Sequence, residues 1–160
     1  MTTAAEFDAR DRITRAIDEY LAVLQRKPED DLRGLGALAR ALDELVMCYH
    51  AAPDVDPETE RASAAPRVDE QPIMDKAGAA FPCLEWYALV DPIGEVDQGV
   101  GLSIAIGDLT EIASDLIQVK WLFDNATVAD AIWQFRFGYQ THWGRHLHEI
   151  RVYLHALAAW

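Results

Sequence analysis

The residues best suited to chemistry lie in the second half of the chain, on two segments with helical periodicity. His142 and His146 are one helical turn apart, and a helical wheel places them within or beside the apolar face of a predicted helix. An earlier helix carries Asp108, Glu111 and Asp115 as one row beside its own apolar face. A buried imidazole needs a hydrogen-bond partner, and a half-buried carboxylate needs a donor or a cation. We therefore predict that these five residues meet at a helix–helix interface.

The sequence leaves three interpretations of this cluster open: a structural polar network, a divalent-metal site, or a metal-free acid–base site. Histidines at positions i and i+4 can bind one ion together, and imidazole with carboxylate suits zinc, manganese or iron. The metal hypothesis draws on Asp108, Glu111, Asp115, His142 and His146. Because the two aspartates are separated by about 10 Å of helix rise, the workable set is both histidines, Glu111 and one aspartate. The motifs of di-iron bundles and zinc proteases are missing.

Composition limits the class of partner and the compartment. With 160 residues the chain is expected to form one domain. Its net charge of -13 argues against nucleic acid and anionic membranes as partners. The charge does not identify the partner, because an acidic surface can recruit a basic protein or divalent cations or only confer solubility; we expect an unknown protein partner. No segment reaches the roughly 18–20 consecutive apolar residues of a membrane-spanning helix, and the first residues do not resemble a secretory signal. We therefore predict a cytoplasmic protein.

The elements that must position the cluster are predicted to be helices. Two amphipathic helices with a short connection indicate an N-terminal helical hairpin over residues 1–50. Residues 51–72 contain four prolines and no periodicity, which predicts a long mobile loop. The C-terminal helices, with the cluster, occupy residues 73–160 of this single domain.

Within the C-terminal part, the patterns predict two further long helices and no strand. A short helical piece over 73–80 and a turn or two over 83–90 precede a glycine-rich connection, 93–101. One long helix is predicted over 102–123. The next begins after Thr127 as N-cap, with Asp130 completing an approximate capping box, and runs to Ala158 with a bend near Gly138 or Gly144. The predicted fold is an all-α, up-and-down bundle of four principal helices.

Residues 87–155 resemble a bacterial family known as domain of unknown function 5063. The similarity is carried by a tyrosine before Asp-Pro, an acidic helix motif, a tryptophan, and a His-Trp-Gly element closed by Leu-His. In this chain these are Tyr87 with Asp91-Pro92, then Asp108, Glu111, Asp115 and Leu116, then Trp133, and finally His142-Trp143-Gly144, His146-Leu147 and Leu154-His155. The chain departs from the pattern in having Glu111 and Ala113 where the family has aspartate and tyrosine. The resemblance implies an intracellular helical domain and no particular activity.

The leading functional hypothesis is an acidic accessory or protein-interaction domain whose His–carboxylate cluster is structural. The charge balance, the helical hairpin and the lack of a recognisable catalytic motif favour it. The alternative is a divalent-metal-binding protein that uses the same five residues and could act as a metal-dependent hydrolase. Elemental analysis of the purified protein would distinguish the two.

Overall fold

The computed structural model describes residues 2–60, 65–95 and 97–158, and most of these residues are helical. Six helices and one two-stranded antiparallel sheet occur within these ranges. In chain order they are α1 (Ala4–Gln25), α2 (Asp31–Ala51), α3 (Gln71–Ala80), β1 (Trp86–Leu89), β2 (Gly101–Ile104), α4 (Ala105–Asn125), α5 (Val128–Thr141) and α6 (Trp143–Ala158). The mostly helical class agrees with the prediction, but the predicted bundle of four principal helices does not describe the six helices and the small sheet found here. None of the described helices combines the length and apolarity needed to cross a membrane.

Helices α1 and α2 pack against each other and against the C-terminal helices. Thr3 and Glu6 form a capping box at the start of α1, and Asp30 caps α2. The apolar residues that repeat along both helices are buried in one continuous core. Tyr20 of α1 is fully buried, and its hydroxyl donates a 2.7 Å hydrogen bond to the carbonyl oxygen of Leu109. This bond joins the first helix to α4, one residue after Asp108.

The long connection between α2 and α3 is anchored by a buried carboxylate, which the prediction of a mobile loop over 51–72 did not include. Asp130 is fully buried near the start of α5. Its Oδ1 accepts hydrogen bonds from the backbone amides of Glu58 and Thr59 at 2.8 and 2.9 Å, and its Oδ2 accepts the Thr59 hydroxyl at 2.6 Å. Asp130 also completes the predicted capping box with Thr127. Residues 61–64 of the predicted loop lie outside the described residues.

Two segments predicted as a helical turn and as the start of a long helix instead form a β-hairpin. Strands β1 and β2 pair with Trp86 opposite Ile104 and Tyr87 opposite Ser103. Alternate residues of a strand point to opposite faces, so Tyr87 is buried on the inner face while Trp86 is exposed on the outer face. The predictions of helical turns over 83–90 and of a helix from residue 102 were therefore wrong. Helix α4 begins only at Ala105.

The last long helix is broken rather than bent. Helix α5 ends at Thr141, α6 begins at Trp143, and His142 between them has non-helical backbone angles of φ -145° and ψ -84°. The break therefore falls between the two glycines at which a bend was predicted. It places His142 at the carboxyl end of α5 and His146 in the first turns of α6.

Candidate functional site

The five predicted cluster residues come together where α4 faces the junction of α5 and α6. Helices α4, α5 and α6 all contact one another, so the acidic row of α4 lies against the junction that carries the two histidines. Asp108 is buried, whereas Glu111 and Asp115 are partly exposed. His146 is partly buried, and His142 is exposed. The cluster thus runs from the protein interior at Asp108 to the surface at His142.

Two glycines allow the tight junction that carries His142. A Cβ atom added to Gly144 would lie 2.1 Å from the backbone oxygen of Tyr139, which no side chain could tolerate. A Cβ atom added to Gly138 would lie 2.8 Å from the ring of Trp143, which is itself fully buried. The His-Trp-Gly element therefore combines a buried anchor with a close approach of two backbone segments. This packing fixes where His142 emerges.

Each histidine uses its two ring nitrogens for different carboxylates. His146 places Nδ1 at 3.0 Å from Asp108 Oδ1 and Nε2 at 3.0 Å from Glu111 Oε2. His142 places Nδ1 at 2.8 Å from Asp115 Oδ2 and Nε2 at 3.4 Å from the same Glu111 oxygen. The two rings are edge-to-face with centroids 5.1 Å apart. Both Nε2 atoms therefore face Glu111, and each Nδ1 atom faces an aspartate of its own.

Asp108 is held by three side chains from three other elements. Tyr87 of β1 donates a short hydrogen bond to its Oδ2, and the Ser103 hydroxyl of β2 lies 2.9 and 3.0 Å from its two oxygens. Burial raises the pKa of Asp108, but the hydrogen bonds from His146, Tyr87 and Ser103 outweigh it and lower the pKa below its usual value. The folded protein therefore holds Asp108 as a carboxylate.

The same contacts raise the pKa values of two of these donors, His146 and Tyr87. The hydrogen bond to Asp108 raises the pKa of His146; burial opposes this, and the negative charge of Glu111 adds to it. Burial, together with the bond to Asp108, raises the pKa of Tyr87 far above its usual value. Tyr87 therefore stays protonated as a donor, and its ring stacks on Tyr153 of α6 at a centroid distance of 4.9 Å.

Three of the five cluster residues direct a ligand atom to one point. One atom each from Glu111, His142 and His146 lies within 4.8 Å of the other two. The two aspartates, predicted as members of the same ligand set, lie instead beside the Nδ1 atoms of the histidines. The structure therefore brings all five residues together and divides them into an inner group of three and a supporting pair.

Two residues of the hairpin that contact the site are not indicated by the sequence patterns. Ser103 falls within a predicted helix, and Tyr87 enters only through the family resemblance. The available signal was two short apolar segments on either side of a glycine-rich connection, which is typical of a hairpin. Glu149 of α6 is likewise not indicated: its negative charge helps to raise the pKa of His146 and Tyr87, and it pairs with Arg145 at 2.8 Å.

Comparison with protein families gives a match to the model described as "Domain of unknown function (DUF5063)" over residues 5–159. The chain belongs to this family. Membership of the DUF5063 family therefore covers nearly the whole chain, including α1 and α2, and not only the segment 87–155 that resembled it.

The fold of this DUF5063 protein is similar to a solved structure. The crystal structure of protein BF1032 from Bacteroides fragilis superposes with a TM-score of 0.73 at 14% sequence identity, covering 96% of this chain and 94% of that one. At this identity the similarity concerns the fold alone. A comparison with curated proteins gave no match.

Proposed function

We propose that this DUF5063 protein binds one divalent transition-metal ion through Glu111 Oε2, His142 Nε2 and His146 Nε2. The observation that supports the proposal is the convergence of these three ligand atoms from α4, from the break between α5 and α6, and from α6. Imidazole nitrogen with carboxylate oxygen is a ligand set that suits zinc, manganese or iron.

The hydrogen bonds of the two histidines leave a place for positive charge between their Nε2 atoms and Glu111. A neutral imidazole has one N–H and one lone pair. If Nδ1 of each ring donates to its aspartate, both Nε2 lone pairs face the lone pairs of Glu111. Three acceptors that face one another repel unless protons or a metal ion lie between them. One divalent ion satisfies all three atoms at once.

The distances in the inner group suit such an ion. A tetrahedral ion with ligands at about 2.1 Å separates neighbouring ligand atoms by about 3.4 Å. The Glu111 oxygen lies 3.0 Å from one histidine Nε2 and 3.4 Å from the other. All three ligand atoms lie within 4.8 Å of one another, so side-chain adjustments that bring them closer would seat the ion.

The two aspartates would support the ligands rather than bind the ion. Histidine ligands commonly donate their second N–H to a carboxylate, which fixes the tautomer and strengthens the ligand. Asp108 and Asp115 each lie beside a histidine Nδ1, as this arrangement requires. Three protein ligands leave a coordination position for water, as in catalytic rather than structural zinc sites. A metal-dependent hydrolysis is the reaction class that such a site supports.

A structural role for the cluster, as in an accessory or interaction domain, is the second candidate. The hydrogen bonds that connect Tyr87, Ser103 and His146 through Asp108 join both strands of the hairpin to α4 and α6. These contacts hold the elements together whether or not an ion is bound. Metal binding by the cluster and structural support by Asp108 are therefore compatible, and a metal-binding measurement tests the first of these roles directly.

The test is elemental analysis of protein purified without chelator or histidine tag, followed by calorimetric titration of metal-free protein with zinc, manganese and iron(II). We expect about one equivalent of metal per chain, with the stoichiometry lost in Glu111→Ala and His146→Ala. Saturation at about 100 times the dissociation constant should stabilise the fold by about 2.7 kcal/mol. For a domain of this size that raises the Tm by roughly 5–10 °C.

The control variant is His155→Ala, which removes an exposed histidine from the same helix, α6. It should bind metal with the affinity of the unaltered protein. The proposal is wrong if none of the three metals binds or raises the Tm, or if Glu111→Ala binds as tightly as His155→Ala. Either result leaves the structural role of the cluster.

A further inference from the structure

The β-hairpin exposes a continuous apolar face, here called the hairpin face. Trp86 and Ile104 are opposite each other in the register, as are Ala88 and Leu102, and all four are exposed. The alternation of strands, continued by one residue, adds the exposed Val90 and Val100 to the same side. The hairpin face therefore consists of six apolar side chains: Trp86, Ala88, Val90, Val100, Leu102 and Ile104.

This face lies on strands without a single charged residue, in a chain of which 26% is charged. Trp86 is 61% exposed and Leu102 is 67% exposed, and Ile93 in the connecting segment is 93% exposed. With the areas of aromatic and branched side chains, the six residues of the hairpin face expose on the order of 500 Å² of apolar side-chain surface. That equals the largest patches of ordinary monomers, which are often functional.

We propose that the hairpin face is the interface of a homodimer, in which two copies pack face to face about a twofold axis. Two copies would bury on the order of 1,000 Å² from side chains alone, which reaches the lower limit of a specific interface. A twofold interface requires only that one surface complements itself, and an apolar, uncharged surface does so. The inference does not depend on metal binding.

Charge argues against an anionic membrane as the occupant. The chain carries a net charge of -13, and the hairpin face has no basic residue that could attract anionic lipid. Glu85 directly precedes β1, and Asp91, Glu95 and Asp97 lie in the segment that connects the strands, so no acid lies on the strands themselves. Two copies can therefore bring their hairpin faces together while these carboxylates stay at the rim.

The test is sedimentation velocity of the full chain from about 2 to about 200 µM, the range for a weak dimer with an interface of this size. We expect the mass to rise with concentration from 17.9 kDa towards twice that value. Leu102→Glu should remain monomeric throughout. Because Leu102 occurs twice in a twofold interface, the dissociation constant of the Leu102→Glu dimer should be about 100-fold higher or more.

The matched control is Leu32→Glu, which adds the same charge at a leucine of nearly equal exposure, 66%, in the first turn of α2. This variant should dimerise like the unaltered chain. Circular dichroism and the Tm check that both variants fold, and Trp86→Ser replaces Leu102→Glu if that variant does not fold. The proposal is overturned if the unaltered chain stays at 17.9 kDa, if folded Leu102→Glu still dimerises, or if Leu32→Glu dissociates equally. Binding of a purely monomeric chain to phosphatidylcholine vesicles would also overturn it, in favour of a lipid surface.

Discussion

Replacing Asp108 with asparagine keeps the shape of the side chain and removes its charge, so it tests how much this carboxylate contributes to the fold. Asp108 is only 3% exposed and accepts hydrogen bonds from Tyr87, Ser103 and His146. An asparagine can keep some of these bonds, although each becomes a bond between neutral groups. The variant should therefore fold, with a lower stability and a changed His146.

The expected loss of stability follows from the three donors around Asp108. A hydrogen bond to a charged group contributes about 1.5–3 kcal/mol, and one between neutral groups about 0.5–1.5 kcal/mol. The relief from burying a charge offsets part of the difference, but the lowered pKa of Asp108 shows that the fold stabilises the carboxylate on balance. We expect Asp108→Asn to lower the free energy of unfolding by about 2 kcal/mol. This corresponds to a Tm lowered by roughly 4–8 °C.

Glu111→Gln should leave the stability nearly unchanged and weaken metal binding strongly. The Glu111 side chain is 43% exposed, and contacts of exposed carboxylates contribute about 0–1 kcal/mol. In metal-free protein a glutamine amide can donate to the histidine lone pairs, so the Tm should be unchanged or slightly higher. Metal affinity should fall more than 100-fold, beyond the roughly 10–100-fold loss expected for Asp108→Asn and Asp115→Asn, which only support ligands.

Thermal unfolding of metal-free protein and competition titrations with a zinc chelator measure these two effects. Asp115→Asn is the matched control, since Asp115 supports His142 as Asp108 supports His146 but is more exposed. It should lose affinity with little loss of stability. The division of roles is refuted if Glu111→Gln destabilises metal-free protein as much as Asp108→Asn does, or if Asp108→Asn binds zinc within threefold of the unaltered chain.

Two further predictions concern residues outside the cluster. Burial raises the pKa of Asp130, but its hydrogen bonds with Thr59 and Thr127 lower it overall, so Asp130 stabilises the fold above its unfolded pKa of about 3.9. The Tm difference between the unaltered chain and Asp130→Asn should therefore be largest above pH 5 and shrink as the pH falls below about 4; a difference independent of pH from 2 to 7 would contradict this reasoning. Gly144→Ala should prevent folding or lower the free energy of unfolding by more than 3 kcal/mol, because the added Cβ would meet a backbone oxygen at 2.1 Å. Gly78→Ala in α3 should instead raise the free energy of unfolding by about 0.5–1 kcal/mol, because its Cβ would have nothing within 4 Å. Urea unfolding of both variants measures this contrast, and equal effects would refute it.

The helices were predictable because their periodicity extends over many residues. Helix α1 repeats Ile13, Ile17 and Leu24 on a buried face, and α5 begins at the predicted Thr127 cap. The contacts between the acidic row and the two histidines were also predictable. An imidazole on an apolar face and carboxylates beside apolar neighbours each need a partner, and the nearest partners were each other.

The hairpin was not predictable from the same patterns because its strands have four residues each. Only Tyr87 and Leu89 of β1 face inward, and the outward-facing residues Trp86 and Leu102 are apolar although they are exposed. Alternation between apolar and polar side chains, the usual signal of a half-buried strand, is therefore missing. An apolar hairpin face hides the strand pattern, and a second copy of the chain would explain why that face is apolar.

The break at His142 could be located only to within a few residues, because intrinsic propensity does not decide it. Each glycine weakens a helix by about 1 kcal/mol, which is too little to end one. The burial of Trp143 against Gly138, and of Gly144 against Tyr139, decides the position through tertiary contacts. The division of the histidine nitrogens depends on this break. A wheel drawn for one continuous helix could place the rings together but could not assign their atoms.

The acidic row is informative because it opposes the stability of its own helix. Asp108 and Glu111 are three residues apart and Glu111 and Asp115 four apart, and such like-charged pairs each cost about 0.2–0.5 kcal/mol. Neutral histidines can donate hydrogen bonds to Asp108 and Asp115 through Nδ1, but the Nε2 lone pair of each ring then faces Glu111. Added positive charge, from a proton or from a metal ion, would complete the arrangement. The structural network and the metal site considered from the sequence would therefore use the same five residues, with a proton in the first and a metal ion in the second.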